Sequence, residues 1–265
     1  MMDRLLILTF FLLMFCSCST HLGQGETYFE EGDYEKAEYH FTEALKMDAN
    51  NWKIIYNLAR CKEELGKYEE AVALYTRSMD WKVTVASHIG RARCFEKQDY
   101  TEGAIMDYNS ALKINRTDNF EAYYGRGRCY IKEFKYHKAY IDMDRAIKIR
   151  PDYVNAYYHR SIARSQLRNN YGALKDMDYV LKHKKDFGQA YFNRGIILQR
   201  MGKYQKAKAD FNKAIDLKLR SSDVFIRRGL CYYELGDRVK ACKDFSYATR
   251  YNEDHAKRVI RKYCD

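Results

Sequence analysis

Seven alanines recur along this chain at a nearly constant interval: Ala37, Ala71, Ala104, Ala139, Ala173, Ala207 and Ala241, spaced 34, 33, 35, 34, 34 and 34 residues apart. Four residues after each stands a bulky apolar residue: Phe41, Tyr75, Tyr108, Met143, Met177, Phe211 and Phe245. Three further on comes a mostly small one: Ala44, Ser78, Ala111, Ala146, Val180, Ala214 and Ala248. A period held seven times calls for an array of like supersecondary units, each burying its apolar face on its neighbours. One proline and 14 glycines in 265 residues leave little chain for long irregular loops.

With the ladder alanine set as position 20, position 8 is also small throughout: Gly25, Ala59, Ala92, Gly127, Ser161, Gly195 and Gly229. Positions 4, 8 and 11 share one helical stripe, and positions 20, 24, 27 and 28 another, so each unit reads as two helices. Small residues at 8 and 20 let the two backbones approach, and the ring at 24 fills the space beside them. Gly-Asp-Tyr at 32–34, Gly-Lys-Tyr at 66–68 and 202–204, and Gly-Asp-Arg at 236–238 mark the turn between helices. Glycine there permits the left-handed conformation that ends a helix.

On these residues the sequence resembles the tetratricopeptide repeat family. The resemblance covers residues 18–255 as seven repeats: 18–51, 52–84, 85–119, 120–153, 154–187, 188–221 and 222–255. It implies an all-α, right-handed superhelical solenoid of helix-turn-helix units, with a concave groove lined by first helices. The chain departs from the pattern in places. Only Pro151 keeps the proline at position 32, and position 11 is Lys62 and Arg164 in repeats 2 and 5. Repeat 2 is one residue short and repeat 3 one long. Residues 256–265 read as a cap helix, with Val259, Ile260 and Tyr263 inward and basic residues between.

Residues 5–15 form an apolar run behind Arg4, too short for the ~20 residues that span a bilayer. Residues 1–17 therefore read as an export signal. Cys16-Ser17-Cys18-Ser19 resembles a bacterial lipobox, which implies acylation of Cys18 and a membrane-anchored lipoprotein facing the periplasm or cell surface. Cleavage near Ser19 and an uncleaved anchor remain open. Repeat 1 begins at Cys18, so a lipid there would hold the array against the membrane.

Position 7 is arginine and position 23 aspartate in the same five repeats: Arg91 with Asp107, Arg126 with Asp142, Arg160 with Asp176, Arg194 with Asp210, and Arg228 with Asp244. Repeats 1 and 2 lack both members, having Gln24 with His40 and Leu58 with Leu74. Two residues that come and go together point to structural ion pairs, within a unit or between adjacent units, of the bidentate kind arginine forms with carboxylate. An arginine ladder reading an acidic ligand is the functional alternative.

The family resemblance places positions 2, 5, 6, 9, 12 and 13 on the groove. The candidate partner-binding residues are accordingly Tyr56, Asn57, Arg60, Arg93, Tyr124, Arg128, Tyr158, Phe192 and Asn193. Position 9 is arginine in repeats 2–4 (Arg60, Arg93, Arg128) and aliphatic in repeats 5–7 (Ile162, Ile196, Leu230). These arginines have no aspartate at a constant offset, although Glu63, Glu64 and Glu96 stand near enough in sequence to neutralise two of them. Rings flanked by arginines suit an extended peptide, so residues 56–128 are expected to bind an acidic or aromatic segment of a protein partner. The lysine and asparagine clamp of chaperone-binding relatives is absent from positions 5 and 9.

No motif for chemistry accompanies this face. The histidines lack metal-ligand spacing, and Gly125-Arg126-Gly127-Arg128 lies mid-helix, where it cannot act as a phosphate loop. No metal, cofactor or catalytic residue is expected. Cys61, Cys94, Cys129, Cys231, Cys242 and Cys264 read as small buried residues, unpaired. The formal charge of +11 favours acidic partners, while export weighs against nucleic acid. The sequence thus reads as a non-catalytic scaffold of the cell envelope, with a glycan- or peptidoglycan-binding adaptor as the alternative.

Overall fold

The computed structural model describes residues 18–264, and the expected export signal at 1–17 lies outside them. The described residues are helical throughout, without a strand, and none of their helices is long and apolar enough to cross a membrane. The chain divides into two compact units, 1–133 and 134–265.

The first unit holds α1 (residues 18–31), α2 (Tyr34–Met47), α3 (Trp52–Glu64), α4 (Tyr68–Trp81), α5 (Val85–Lys97), α6 (Thr101–Ile114) and α7 (Phe120–Lys132). Within a repeat the first helix packs along the second, as α3 on α4 and α5 on α6. Each second helix packs on the next first helix, and successive first helices touch, as α3, α5 and α7 do. At the start of α5, where the repeat length varies, Thr84 Oγ1 accepts the Ser87 N–H at 3.0 Å and fixes where the helix begins.

The second unit repeats the scheme with α8 (Tyr136–Ile149), α9 (Val154–Gln166), α10 (Asn170–His183), α11 (Gly188–Arg200), α12 (Tyr204–Asp216), α13 (Ser222–Glu234) and α14 (Arg238–Ala248), and ends on α15 (Glu253–Tyr263). The cap helix thus begins three residues before the expected residue 256. Asn252 caps it, its side-chain oxygen accepting the His255 N–H at 3.1 Å. Ala256 is fully buried, and Val259, Ile260 and Tyr263 pack on the core around Phe245. Cys242 and Cys264 are joined in a disulfide with Cα atoms 5.8 Å apart, which corrects the expectation that both are unpaired. The two lie 22 residues apart, and the return of α15 onto α14 brings them together.

All seven ladder alanines are fully buried, and the position-24 residues are at most 2 % exposed. The ladder position is alanine in all seven units, so each pair of helices closes on a side chain no larger than a methyl. Burial of each large side chain stabilises the stack by about 1.5–3 kcal/mol. Where the ring is phenylalanine, position 8 is glycine: a Cβ on Gly25, Gly195 or Gly229 would lie 2.5–2.7 Å from Phe41, Phe211 or Phe245. Where it is tyrosine, the hydroxyl carries the ring under the next first helix. A Cβ on Gly90 would meet Tyr75 Cζ at 2.3 Å, and one on Gly125 would meet Tyr108 Cζ at 2.2 Å.

Candidate functional site

The position-7 arginines hold helices together in two directions. Arg160 Nε and Nη2 donate to the two oxygens of Asp176 at 3.0 and 2.7 Å, a fork closed inside one repeat. The same fork joins Arg91 to Asp107 at 2.7 and 2.8 Å, Arg194 to Asp210 at 2.8 Å twice, and Arg228 to Asp244 at 2.8 and 2.6 Å. The remaining arm, Nη1, crosses to position 25 of the preceding repeat. There Arg91 meets Thr76, Arg126 Asn109, Arg160 Asp144, Arg194 Asp178 and Arg228 Asn212, at 2.6–2.9 Å. Arg126 and Asp142 fall in different units, and Asp142 is buried. Burial raises the Asp107 carboxyl, but hydrogen bonds from Arg91 and His88 outweigh it and leave the group below its ordinary value.

The departures at position 11 also find partners. Lys62 pairs with Glu38 at 2.7 Å and with Glu70. Arg164 Nη1 donates to Asp176 Oδ2 at 2.8 Å. In repeat 1, which lacks the ion pair, His40 instead stacks with Tyr28 and meets His21 Nδ1 at 3.0 Å.

On the first-helix face of the first unit, two of the position-9 arginines are paired with glutamates. Arg93 is gripped by Glu63 at 2.6 and 3.0 Å, and Arg128 Nη2 pairs with Glu96 at 2.9 Å. Both carboxylates also accept a tyrosine hydroxyl from their own repeat, Tyr75 at 2.7 Å and Tyr108 at 2.5 Å. The hydrogen bond to Glu63 holds Arg93 firmly protonated. Arg60 has its guanidinium 4.0 Å above the Phe29 ring and 5.9 Å from Tyr56. Asn57, expected on the groove, is buried and donates to Glu26 at 3.3 Å. Tyr124 is half-buried and stacks on Phe120. The side chains of Arg93 and Arg128 keep 45 % exposure, so this face is accessible but charge-balanced.

In the second unit Asn193 Nδ2 donates to the Tyr158 hydroxyl at 2.9 Å, tying α11 to α9, and Phe192 packs against Phe211. A cavity of about 130 Å³ opens beside them between α9, α11 and α13, lined by Ser161, Ile162, Asn193, Ile196, Arg200 and Arg227 among others. Neither Arg200 nor Arg227 is among the residues expected on the groove from the sequence.

Among the described residues no group of three or more His, Cys, Asp and Glu side chains could hold a metal ion. Burial pushes the thiols of Cys61, Cys94, Cys129 and Cys231 up to about 12, which keeps them as unreactive thiols at neutral pH. Cys18 is half-buried, and its Sγ lies 3.8 Å from the Ala44 carbonyl oxygen.

Stacked helix pairs closed over a buried ladder of small residues define a helical-repeat solenoid. Models of the tetratricopeptide repeat match residues 28–84, 120–153 and 188–218, and the chain is a tetratricopeptide repeat protein. Among solved structures it is similar to a tetratricopeptide repeat protein from Parabacteroides merdae, at 23% identity and a TM-score of 0.65, covering 94% of this chain and 99% of that one. A chain of the APC/C hetero-tetramer Cut9–Hcn1 matches at 11% identity and a TM-score of 0.67, over 81% of this chain and 42% of that one. YrrB, described as having an unusual peptide-binding site, matches at 19% and 0.52, over 83% and 97%. At these identities the likeness is one of fold.

Among curated proteins, 98 residues are 29% identical to DnaJ homolog subfamily C member 7 of Homo sapiens, covering 35% of this chain and 20% of that protein. Anaphase-promoting complex subunit 7 of Dictyostelium discoideum is 28% identical over 81 residues, 31% of this chain and 14% of the relative. The matched stretch thus spans a fifth or less of these relatives' own length.

Proposed function

We propose that this protein is a non-catalytic scaffold of the cell envelope that holds an extended segment of a partner protein on its first-helix faces. Tetratricopeptide repeat proteins mediate protein–protein contacts, and YrrB carries a peptide-binding site on the same fold. The supporting observation is the cavity between α9, α11 and α13, where polar and aliphatic side chains of three first helices converge on one opening. Export through residues 1–17 and lipid attachment at Cys18 belong to the same reading. They rest on the apolar run behind Arg4 and on Ser17-Cys18.

Site-specific photo-cross-linking in the native envelope tests the proposal. A photoreactive residue at Tyr56, Ile196 or Leu230, on first helices, is expected to give a discrete adduct with one protein, whereas one at exposed Lys213 on α12 gives none. A polysaccharide adduct in place of a protein would favour the glycan adaptor. Absence of adducts from every first-helix position would overturn the scaffold. Palmitate labelling lost in Cys18→Ala tests the anchor, and retained labelling would refute it.

A further inference from the structure

We propose that the turn edge of the second unit docks onto an anionic lipid bilayer, its exposed rings and aliphatic side chains entering the headgroup boundary while its cations meet the lipid phosphates. This surface goes beyond the scaffold reading and is separate from the first-helix positions on which that reading rests. Charge is divided unequally along the chain. Residues 1–133 carry 17 Lys and Arg against 21 Asp and Glu, whereas residues 134–265 carry 30 against 15. The whole excess of positive charge therefore lies in the second unit.

The turns between paired helices show the division most sharply. At positions 15–19 the first three repeats carry six acidic residues and two lysines, Lys36 and Lys67. The same positions of the next two repeats carry Lys135 and Lys138, then Arg168. Repeat 6 adds Lys203 and Lys206, and repeat 7 adds Arg238 and Lys240; all of these second-unit cations are exposed. Asp237 is the single acid among them, and it is paired with Lys240 at 2.6 Å. Cations gathered in this way on one edge attract an anionic membrane surface.

Apolar groups stand out among the cations. Phe134, Tyr171 and Val239 are 76 %, 78 % and 82 % exposed. Phe134 occupies position 15, where the backbone is left-handed in all seven repeats and four of them use glycine. A bulky side chain is strained at its φ of +58°. The outward ring recovers little of that cost by burial, meeting only the edge of Tyr136 at 6.2 Å between centroids. Tyr171 and Val239 both occupy position 18, in the first turn of α10 and of α14. Lys203 Nζ, from the following repeat, lies 5.8 Å from the centre of the Tyr171 ring, so the ring of one turn and the cation of the next are neighbours. Rings and aliphatic tips flanked by Lys and Arg suit the membrane interface, where the tips enter apolar surroundings and the charges stay among the phosphates. A bilayer accepts protruding tips without a matching pocket for each, whereas a folded partner needs one per tip. Leu167 and Val239 offer nucleic acid no flat face on which a base could stack.

The native tryptophans, Trp52 and Trp81, both lie in the first unit, which makes Phe134→Trp a local reporter. The test uses the purified full chain carrying Cys18→Ala, with vesicles of phosphatidylcholine alone or mixed in equal parts with phosphatidylglycerol. Bromine-bearing lipid is expected to quench the added tryptophan on the anionic vesicles only, and Trp52 and Trp81 on neither. Lys203→Glu/Lys206→Glu in the reporter chain should raise the lipid concentration for half-maximal quenching at least tenfold. Lys97→Glu/Lys113→Glu, the same change of net charge at exposed sites of the first unit, should move it less than twofold. Phe134→Gly should weaken sedimentation with anionic vesicles at least threefold without lowering the melting temperature, because glycine suits the left-handed backbone. Equal quenching on neutral vesicles, no quenching on anionic ones, or equal effects of the two charge reversals would overturn the proposal. So would an RNA oligonucleotide or a second copy of this chain held by the same lysines in place of vesicles. First-helix cross-links to a partner protein do not depend on these residues, so the scaffold stands or falls separately.

Discussion

Arg93 on α5 lies with both arms of its guanidinium on Glu63 of α3, at 2.6 and 3.0 Å, joining the first helices of two successive repeats. Tyr75, from beneath, donates to the same carboxylate at 2.7 Å. One glutamate thus collects a charge from the following repeat and a hydroxyl from its own. The set recurs one repeat later as Tyr108, Glu96 and Arg128. These arginines therefore help to hold successive first helices together.

The fork between Arg228 and Asp244 has a neutral third partner, Asn212, so a mutant cycle there isolates the ion pair. Arg228→Leu is expected to destabilise the protein by about 2–3 kcal/mol, because a nearly buried carboxylate loses its counter-charge while some solvent screening remains. Arg228→Leu/Asp244→Leu should melt higher than Arg228→Leu alone. A double variant melting no higher than the single, in calorimetry, would show that the pair is not coupled.

Gly125 has no room for a methyl. Gly125→Ala sets its Cβ 2.2 Å from Tyr108 Cζ and should cost about 2 kcal/mol or more through overpacking. Adding Tyr108→Phe leaves the clashing carbon in place, whereas adding Tyr108→Met should recover stability, since Met143 and Met177 fill the same repeat position. Gly23→Ala, with nothing within 4 Å of the new Cβ, should instead stabilise the helix by about 0.5–1 kcal/mol. Urea titration of the set checks all of these.

The disulfide between Cys242 and Cys264 closes a segment of 22 residues, for which chain entropy gives about 3 kcal/mol. Reduction, or Cys264→Ser, should therefore loosen α15 first. Hydrogen exchange is expected to accelerate at the amides of 253–263 and not at those of α3–α6. Unchanged exchange in α15 after reduction would mean that Val259, Ile260 and Tyr263 hold the cap unaided.

The two charge networks were unequally legible in the sequence. Arg160 and Asp176 lie in one repeat, so their offset of 16 recurs wherever the pair does. Glu63 with Arg93 and Glu96 with Arg128 cross a repeat boundary, and the unequal lengths of repeats 2 and 3 turn one spatial relation into offsets of 30 and 32 residues. Comparison by repeat position, 12 with the following 9, would have found them. The tyrosine at position 24 followed by glycine at position 6 of the next repeat was equally readable. The acceptors at position 25, Thr76, Asn109, Asp144, Asp178 and Asn212, are of three residue types and became visible only as geometry.

By itself the sequence determined the repeat, the helix pairing and the buried ladder. Those follow from local periodicity and from a steric limit on side-chain size that every repeat obeys. It also determined which arginines travel with an aspartate. Only the tertiary structure decided which cations are already neutralised, which cysteines bond, and where two arginines share a cavity without a carboxylate. Each of these depends on separations of a few ångströms between residues about 20–35 apart in the chain, and on the absence of a partner, which spacing along a sequence does not encode.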